Sequence, residues 1–356
     1  MRAAVFHAAG DIRLEDVDAP SPGPGEVAIA VAFNGLCGSD LHEYLHGPVF
    51  IPVEPHPLTG ARLPVTLGHE FAGCVADVGP GVERLAIGDR VAVEPLYHCG
   101  RCRMCVTGAY NLCPSRAFHG LAAAGGGLSE RTVVREEMVH HLPDSVTLER
   151  GALVEPMAVA LHAVRRTSIN AGDAAVILGA GPIGIGAFFA LRRLGAAPII
   201  VAEPSADRRA TIQRLGADHV LDPGEADIVA KTRRLTEEGA AVVVDAAGVP
   251  ATANDSLRLV RSAGHVVTVA AHAQPVQVNP NQMLREITWT GSLAYTAADF
   301  REVIELMDKG EYADDSWIHH VALSDLTAAL DAMAAGTVDK VLVDIAPSLD
   351  STRHPF

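Results

Sequence analysis

The chain has 356 residues, of which 49% are hydrophobic and 20% are charged. This balance is typical of a soluble globular protein, and roughly 150 residues per domain gives two or three domains. The formal net charge of −15 argues against DNA, RNA or an anionic membrane as a partner, because these bind basic surfaces. The first residues lack the apolar run of a secretory signal, so we expect a cytoplasmic protein.

The first 150 residues contain short β-type runs separated by glycine and proline. Val27–Ala32, Phe71–Val78 and Arg90–Val93 are such runs, and the cluster Pro20–Gly25 is typical of a turn. This pattern predicts a small, irregular, barrel-like β domain with functional loops.

Thiol, imidazole and carboxylate groups are dispersed through this first region. The candidate ligands are Cys37, His69, Glu70 and Glu155. Taken singly, such residues are more often packed in a core than bound to a metal. Together they are the ligand types of a catalytic zinc ion that keeps one position open for substrate. Ser39 and His42 lie close to Cys37 in the sequence and could pass a proton from a bound alcohol to solvent.

Four of the six cysteines crowd into one segment: Cys99, Cys102, Cys105 and Cys113. Clustered thiols in a long chain without a secretory signal more often bind metal than form disulfides. Four thiolates at this spacing can close a tetrahedral zinc site with no open position, which is a structural site. An iron–sulfur cluster is the alternative, but the last gap here is longer than in the ferredoxin pattern. A nucleic-acid-binding zinc lobe conflicts with the acidic charge.

Other cysteines and histidines have plainer interpretations. Cys74 lies in a strand-like run and is expected to be a packed thiol. The adjacent pairs at 140–141 and 319–320 are histidines, and neighbours in sequence cannot readily share one metal. We therefore expect both pairs in solvent-facing loops.

From about Glu155, apolar runs alternate with helical stretches. The predicted strands lie at 174–181, 198–203, 241–248, 265–271 and 286–292. Such alternation predicts a parallel sheet with helices on both faces. Residues 174–191 carry no charge, but their glycines and Pro182 predict a strand, a turn and a helix rather than a membrane span. After about Ser292 the pattern is helical, and a last strand near 340–346 could return to the first domain.

A glycine-rich turn follows the first of these strands and consists of Gly179, Ala180, Gly181, Pro182, Ile183 and Gly184. A GxGxxG motif on its own is weak evidence for a nucleotide site, and a purely structural turn is the alternative. Here, however, the motif ends an apolar strand and opens a helix. Its glycines would let the backbone approach a pyrophosphate, whose charge is favoured at a helix N-terminus. The sequence therefore predicts a Rossmann dinucleotide site.

Downstream residues indicate which dinucleotide binds. Glu203 ends the next predicted strand, where an acidic residue hydrogen-bonds the adenosine ribose and repels the 2′-phosphate of NADP, so we expect NAD(H). Arg208 is a further candidate cofactor contact, and with Arg209 it keeps NADP open as an alternative. Asp245 and Gly248 lie where loops of a parallel sheet reach the cofactor, unless they only form a strand-end turn.

Together these motifs resemble those of the zinc-containing medium-chain alcohol dehydrogenases, over essentially the whole chain. The resemblance rests on Gly68-His69-Glu70, the four-cysteine segment, the glycine-rich turn and the order of the strands. It implies a GroES-like, β-rich catalytic domain at 1–155 and 293–356 and a Rossmann domain with a doubly wound parallel sheet at 156–292. It also implies a catalytic zinc at Cys37, His69 and Glu155, with Glu70 as ligand or partner, and a structural zinc at the four cysteines.

Within this family, the runs at 37–52 and 291–296 are most similar to polyol dehydrogenases, the group that includes butanediol and sorbitol dehydrogenases. This likeness implies oxidation of a vicinal diol with NAD, (2R,3R)-butanediol to acetoin, and reduction of the hydroxyketone in reverse. Sorbitol, another polyol and L-threonine are alternative substrates. A zinc-free quinone reductase or a non-catalytic nucleotide-binding protein on this fold would not need the zinc ligands. The family expectation for assembly is a homodimer or homotetramer.

Overall fold

The computed structural model describes residues 1–272 and 274–350, and the chain forms two compact units. The first unit consists of Met1–Glu155, Thr296–Gly310 and the chain from Ile318 onward. The second consists of Pro156–Tyr295 and Glu311–Trp317. The chain therefore leaves the first unit after Glu155 and re-enters it at Thr296 and again at Ile318.

Eighteen strands and ten α-helices occur in the described residues. The strands are β1 (Arg2–Ala8), β2 (Asp11–Asp16), β3 (Glu26–Gly35), β4 (Val65–Thr66), β5 (Glu70–Val78), β6 (Arg90–Val93), β7 (Leu96–Tyr97), β8 (Ala117–Phe118), β9 (Arg131–Arg135), β10 (Val139–His141), β11 (Ala175–Leu178), β12 (Ile199–Ala202), β13 (His219–Leu221), β14 (Ala240–Asp245), β15 (Val260–Thr268), β16 (Thr288–Gly291), β17 (Ile318–Ala322) and β18 (Lys340–Asp344). The helices are α1 (Gly38–His46), α2 (Arg103–Val106), α3 (Leu148–Gly151), α4 (Val154–Arg165), α5 (Pro182–Arg193), α6 (Ala206–Arg214), α7 (Ile228–Thr236), α8 (Pro250–Leu259), α9 (Ala297–Asp308) and α10 (Leu326–Ala334). Short 3-10 helices lie at Tyr110–Leu112, Glu136–Met138, Pro280–Arg285, Leu323–Asp325 and Pro347–Leu349.

The main sheet of the first unit has seven strands in the order β10-β6-β5-β3-β18-β17, and β9 also pairs with β3. β18 is antiparallel to β3, which confirms that the last strand returns to the first domain. Val31, Phe71 and Val91 belong to the buried apolar cluster of this sheet. Burial of such side chains contributes about 1.5–3 kcal/mol each.

The sheet of the second unit has six strands in the order β13-β12-β11-β14-β15-β16, and every adjacent pair is parallel. This arrangement confirms the predicted Rossmann-type parallel sheet. The chain order reverses between β11 and β14, and such a switch point is where open parallel sheets bind ligands, outside the carboxyl ends of the strands. Leu178 of β11 pairs with Asp245 of β14, which in turn pairs with Thr268 of β15. These three residues therefore lie side by side at this edge.

The uncharged stretch at 174–191 is β11, a turn and most of α5, as the glycines predict. Among the helices of the described residues, none combines the length and the hydrophobicity that a bilayer crossing requires.

The two adjacent histidine pairs lie in strands, so the prediction of loops is wrong, although His141, His319 and His320 are exposed to solvent as expected. His140 and His141 end β10, and His319 and His320 lie in β17. These strands stand at the two ends of the sheet order, and edge strands commonly carry polar side chains because one of their edges is unpaired. Both pairs contact carboxylates: His140 Nε2 lies 3.0 Å from a Glu94 oxygen, and His320 Nδ1 lies 2.6 Å from an Asp344 oxygen.

Candidate metal centres and dinucleotide site

Cys37, His69 and Glu70 come together in the first unit. Each offers one ligand atom, and these atoms lie within 4.8 Å of one another. Cys37 is the N-cap of α1 and follows β3 closely, while Glu70 opens β5. Because β3 and β5 pair with Gly35 opposite Glu70, the sheet itself brings these side chains together. His69 and Glu70 are only 3% and 1% exposed.

The His69 ring lies between two residues of α1. Its Nε2 is 3.2 Å from the Ser39 hydroxyl oxygen, and its Nδ1 is 3.6 Å from Oδ1 of Asp40. The other Asp40 oxygen accepts a hydrogen bond of 3.0 Å from the Cys37 backbone N–H. His69 Nδ1 and Asp40 Oδ1 are both buried and have no hydrogen-bond partner in the described part of the chain. A carboxylate facing the second ring nitrogen is the usual support of a metal-bound histidine, so this pair fits a metal site.

Negative charge concentrates around His69. Burial lowers the pKa of His69, but the charges of Asp40, Cys37 and Glu155 outweigh burial and raise that pKa well above its usual value. The surroundings therefore favour positive charge at this imidazole. A thiolate, an imidazole and a carboxylate are the donors that zinc prefers, so the residues present fit that ion.

The two candidate glutamates are placed differently. Glu70 has an oxygen within the ligand group, whereas Glu155, in the first turn of α4, acts on His69 through its charge. The three-residue ligand group thus contains Glu70.

Lys340, which sequence reasoning missed, is a buried partner of Glu70. Its ammonium forms an ion pair with the Glu70 carboxylate and donates a hydrogen bond of 2.9 Å to the Leu36 carbonyl oxygen. Gly35 lies beneath this pair, and a Cβ there would collide with the Glu70 carboxylate and approach Lys340 to 3.0 Å. The one available signal was a lysine that opens an apolar strand, KVLVD.

The four-cysteine segment forms a second cluster, whose members are Cys99, Cys102, Cys105 and Cys113. The Sγ atom of Cys105 lies 3.4 Å from that of Cys102 and 3.9 Å from that of Cys99. Zn–S bonds of about 2.3 Å in a tetrahedron separate the sulfur atoms by about 3.8 Å, so these thiols fit one zinc ion. Hydrogen bonds from the backbone N–H groups of Arg101 and Cys102 lower the pKa of Cys99 to about 6, whereas burial and the neighbouring thiols raise the pKa of Cys105. Cys99 therefore becomes the thiolate that metals bind more readily than Cys105 does. All six cysteines of the chain are free thiols.

The glycine-rich turn lies in the second unit, between β11 and α5. Gly179 has a φ of +97°, which favours glycine, and a Cβ on Gly184 would collide with the Gly179 carbonyl oxygen. Gly181 is the N-cap of α5, and a Cβ there would point into open space. Pro182 occupies the first helical turn, as expected. An accessible helix N-terminus with little side-chain bulk fits a pyrophosphate.

Glu203 follows β12 and lies against this turn. Its carboxylate accepts hydrogen bonds from the backbone N–H groups of Ala180, at 2.7 Å, and Ser205, at 2.9 Å. Arg209 donates to the carbonyl oxygens of Glu203 and Pro204 and pairs with Asp222 at 2.8 Å. The first turn of α6 contains the half-buried Arg208.

Comparisons with known proteins cover both units. Residues 23–144 match the alcohol dehydrogenase GroES-like domain, and residues 182–309 match the zinc-binding dehydrogenase domain. The (R,R)-butanediol dehydrogenase of Bacillus subtilis (strain 168) is 42% identical over 330 residues, which cover 92% of this chain and 94% of that protein. The sorbitol dehydrogenase of Bombyx mori is 33% identical over 349 residues, which cover 96% of this chain and 98% of that protein.

Solved structures agree with these similarities. The crystal structure of 2R,3R-butanediol dehydrogenase from Bacillus subtilis has a TM-score of 0.91 and 41% identity, covering 96% of this chain and 99% of that chain. The structure of a zinc-binding dehydrogenase from Sinorhizobium meliloti 1021 bound to NADP has a TM-score of 0.89 and 31% identity, covering 96% of this chain and 98% of that chain. The likeness therefore extends over nearly the whole chain and is not confined to the motifs.

Proposed function

Because this chain belongs to the zinc-dependent alcohol dehydrogenase family, we propose that it oxidises (2R,3R)-butanediol to acetoin with NAD, and reduces acetoin and diacetyl in the reverse direction. The observation that carries the proposal is the convergence of Cys37, His69 and Glu70 beside the Ser39 hydroxyl. This arrangement supplies metal ligands and a proton acceptor in one place. The identity of 42% to (R,R)-butanediol dehydrogenase supports the diol as substrate.

Cys37, His69 and a glutamate hold the catalytic zinc in this proposal. Zinc supplies Lewis-acid chemistry when bound, because it lowers the pKa of an alcohol oxygen. Glu70 provides a carboxylate that Lys340 holds in place through an ion pair, and Glu155 is the second carboxylate available to the ion. Asp40 orients the His69 ring through Nδ1. The four cysteines hold a second zinc, which stabilises their segment.

Ser39 takes the hydroxyl proton of the substrate and passes it toward solvent. Its oxygen lies 3.2 Å from Nε2 of His69, one of the residues that would hold the metal, so it would be close to the hydroxyl of a substrate bound there. Ser39 is half-buried, whereas His42 is exposed and lies on the same side of α1, three residues further along. An imidazole exchanges protons with water near neutral pH, so the two residues form a route from the buried hydroxyl to the surface.

The second unit holds the dinucleotide and determines its type. Gly179, Gly181 and Gly184 allow the pyrophosphate to approach the N-terminus of α5. Glu203 would meet the adenosine ribose, and its charge would disfavour the 2′-phosphate of NADP. Arg209 is already engaged by two carbonyl oxygens and Asp222, which also favours NAD. When bound, the nicotinamide would supply hydride-transfer chemistry, and the protein would align the carbinol carbon of the substrate with it.

The substrate and the cofactor are tested by initial rates of the zinc-loaded protein. The diol (2R,3R)-butanediol is compared with sorbitol and L-threonine at matched concentrations, each with NAD and with NADP. We expect the highest rate with the vicinal diol and NAD. Faster turnover of sorbitol or threonine would replace the diol but keep the zinc dehydrogenase. A preference for NADP would contradict the role given to Glu203.

The assembly and location that we propose follow the family expectation, a cytoplasmic homodimer or homotetramer. Light scattering coupled to size-exclusion chromatography measures the assembly, and a monomeric mass at micromolar concentration would contradict it. Fractionation of cells that produce the full chain tests the location, and recovery outside the cytoplasmic fraction would contradict it.

A further inference from the structure

The carboxylate of Asp245 joins two loops at the carboxyl edge of the parallel sheet. This side chain is completely buried, at the end of β14. One oxygen accepts hydrogen bonds of 3.2 Å from the backbone N–H groups of both Ala247 and Gly248. The other oxygen lies 3.1 Å from Nε2 of His272, which follows β15. A buried carboxylate with these three partners fixes the position of the imidazole.

The other nitrogen of this imidazole has nothing to bind. Nδ1 of His272 is buried and has no hydrogen-bond partner among residues 1–272 and 274–350, although the side chain as a whole is 16% exposed. Burying a polar atom without a partner is costly, so such atoms are rare in folded proteins. An oriented but unpaired nitrogen beside a ligand site indicates a ligand that completes its hydrogen bond.

The position of His272 relative to the glycine-rich turn indicates which part of a dinucleotide it meets. The loop after β14 packs on that turn, because a Cβ on Gly179 would lie 3.3 Å from Ala247. The loop after β15 packs in turn against the loop after β14, because a Cβ on Gly248 would lie 2.6 Å from the Ala271 carbonyl oxygen. Glu203 follows β12, which lies on the opposite side of β11 from β14 and β15. With the adenosine ribose at Glu203 and the pyrophosphate at the turn, the nicotinamide half extends toward β14 and β15.

We propose that His272, held by Asp245, binds the carboxamide group of the nicotinamide through Nδ1. A carboxamide carries both an N–H donor and a C=O acceptor, so it can pair with this nitrogen whether or not the nitrogen is protonated. Asp245 is a positioning residue that acts through His272. The proposal rests on the proposed function, in which the cofactor is a nicotinamide dinucleotide. It adds a side chain that recognises the nicotinamide end of that cofactor.

Binding of NADH and of ADP-ribose to the full-length protein tests this assignment without turnover. ADP-ribose lacks the nicotinamide ring but keeps the adenosine ribose and the pyrophosphate. We expect His272→Leu to weaken NADH binding about tenfold, the effect of one lost hydrogen bond, and to leave ADP-ribose binding unchanged. NADH is followed by its fluorescence and ADP-ribose by calorimetry. The matched control is His219→Leu on the outer strand β13, which should bind both ligands like the wild type.

Two conservative variants separate binding from mere support of the loop. Asparagine places a polar atom near the position of Nδ1, whereas glutamine places one near Nε2, where it can still meet Asp245. We expect His272→Asn to recover part of the NADH affinity and His272→Gln to recover none. Full recovery by His272→Gln, or equal loss of both ligands in His272→Leu, would overturn the proposal. Wild-type protein that binds ADP-ribose but not NADH would overturn the proposed function as well.

Discussion

The two thiol-containing clusters of the first unit are built in opposite ways. The four cysteines lie within one short segment, residues 99–113, and three of them are partly exposed. The cluster of Cys37, His69 and Glu70 combines three donor types from separate elements and is largely buried. The first cluster is closed by its own thiols, whereas the second is surrounded by groups that are not ligands: Ser39, Asp40 and Lys340.

This difference fits the two roles that we propose, a structural site at the four cysteines and a catalytic site at Cys37, His69 and Glu70, which place different demands on a fold. Four thiolates satisfy a tetrahedral ion by themselves, so a short loop is sufficient. A metal site that keeps one coordination position open for substrate needs neighbouring side chains that hold its ligands in place, and it needs a proton acceptor nearby. The paired strands β3, β5 and β18 provide these supports, because Gly35, Glu70 and Lys340 lie on them. We therefore expect substitutions in the two clusters to separate chemistry from stability.

Cys37→Ser should have the largest effect on turnover. Loss of the thiolate removes the zinc and with it about 4 kcal/mol of transition-state stabilisation, or roughly a thousandfold in kcat. NADH binding should remain largely intact, because the glycine-rich turn lies in the second unit. Cys74→Ser is the matched control, since Cys74 lies in β5 outside both clusters. Full activity of Cys37→Ser with zinc absent would contradict the assignment.

Ser39→Ala should lower kcat about a hundredfold, the usual contribution of a positioned proton acceptor. Zinc content and NADH affinity should stay at wild-type values, and Ser39→Thr, which keeps the hydroxyl, should recover most of the rate. The rate is measured under single-turnover conditions alongside metal analysis. Parallel loss of zinc and rate would mean that the serine is only structural.

Asp40→Asn should act through His69 rather than on substrate. Removing the charge that faces Nδ1 should weaken zinc binding about 10- to 100-fold, as for other carboxylates behind metal-bound histidines. Competition with a chromogenic chelator measures this affinity, and excess zinc should restore most of the rate. Unchanged zinc affinity would show that the 3.6 Å contact has no role in the site.

Cys102→Ser should have the smallest effect on turnover per folded molecule and the clearest effect on stability. Loss of the structural zinc releases its segment, so we expect the melting temperature to fall by about 5 °C or more. Thermal unfolding of metal-loaded protein gives this value, with Cys74→Ser again as the control. An unchanged melting temperature together with loss of one zinc would contradict the structural role.

The sequence predicts the closed cluster far better than the open one. Cys99 to Cys113 are close in the chain, so their spacing alone indicates a shared ion. Cys37 and Glu70 meet only because β3 pairs with β5, and no local pattern contains that pairing. Their association could be predicted from donor chemistry and family resemblance, but the support from Asp40 and Lys340 could not. Lys340 looks like an ordinary strand residue until the sheet places it beside Glu70.

The Rossmann part of the fold is similarly uneven. Alternating apolar runs and helices predict β11, β12, β14, β15 and β16, whereas the three-residue strand β13 carries too little apolar pattern to be recognised. Asp245 could be singled out by its place at a strand end, with a simple turn as the alternative. Its partner His272 could not, because their contact depends on how two loops pack at the edge of the sheet.

Anomalous diffraction at the zinc edge, from crystals of the protein prepared with zinc, tests the contrast between the two clusters most directly. We expect two peaks in each chain. One should lie about 2.3 Å from all four sulfur atoms of the cysteine segment, and the other should be bound by Cys37, His69 and one or both of Glu70 and Glu155. A single peak at the four cysteines, with full dehydrogenase activity in the same preparation, would contradict the account.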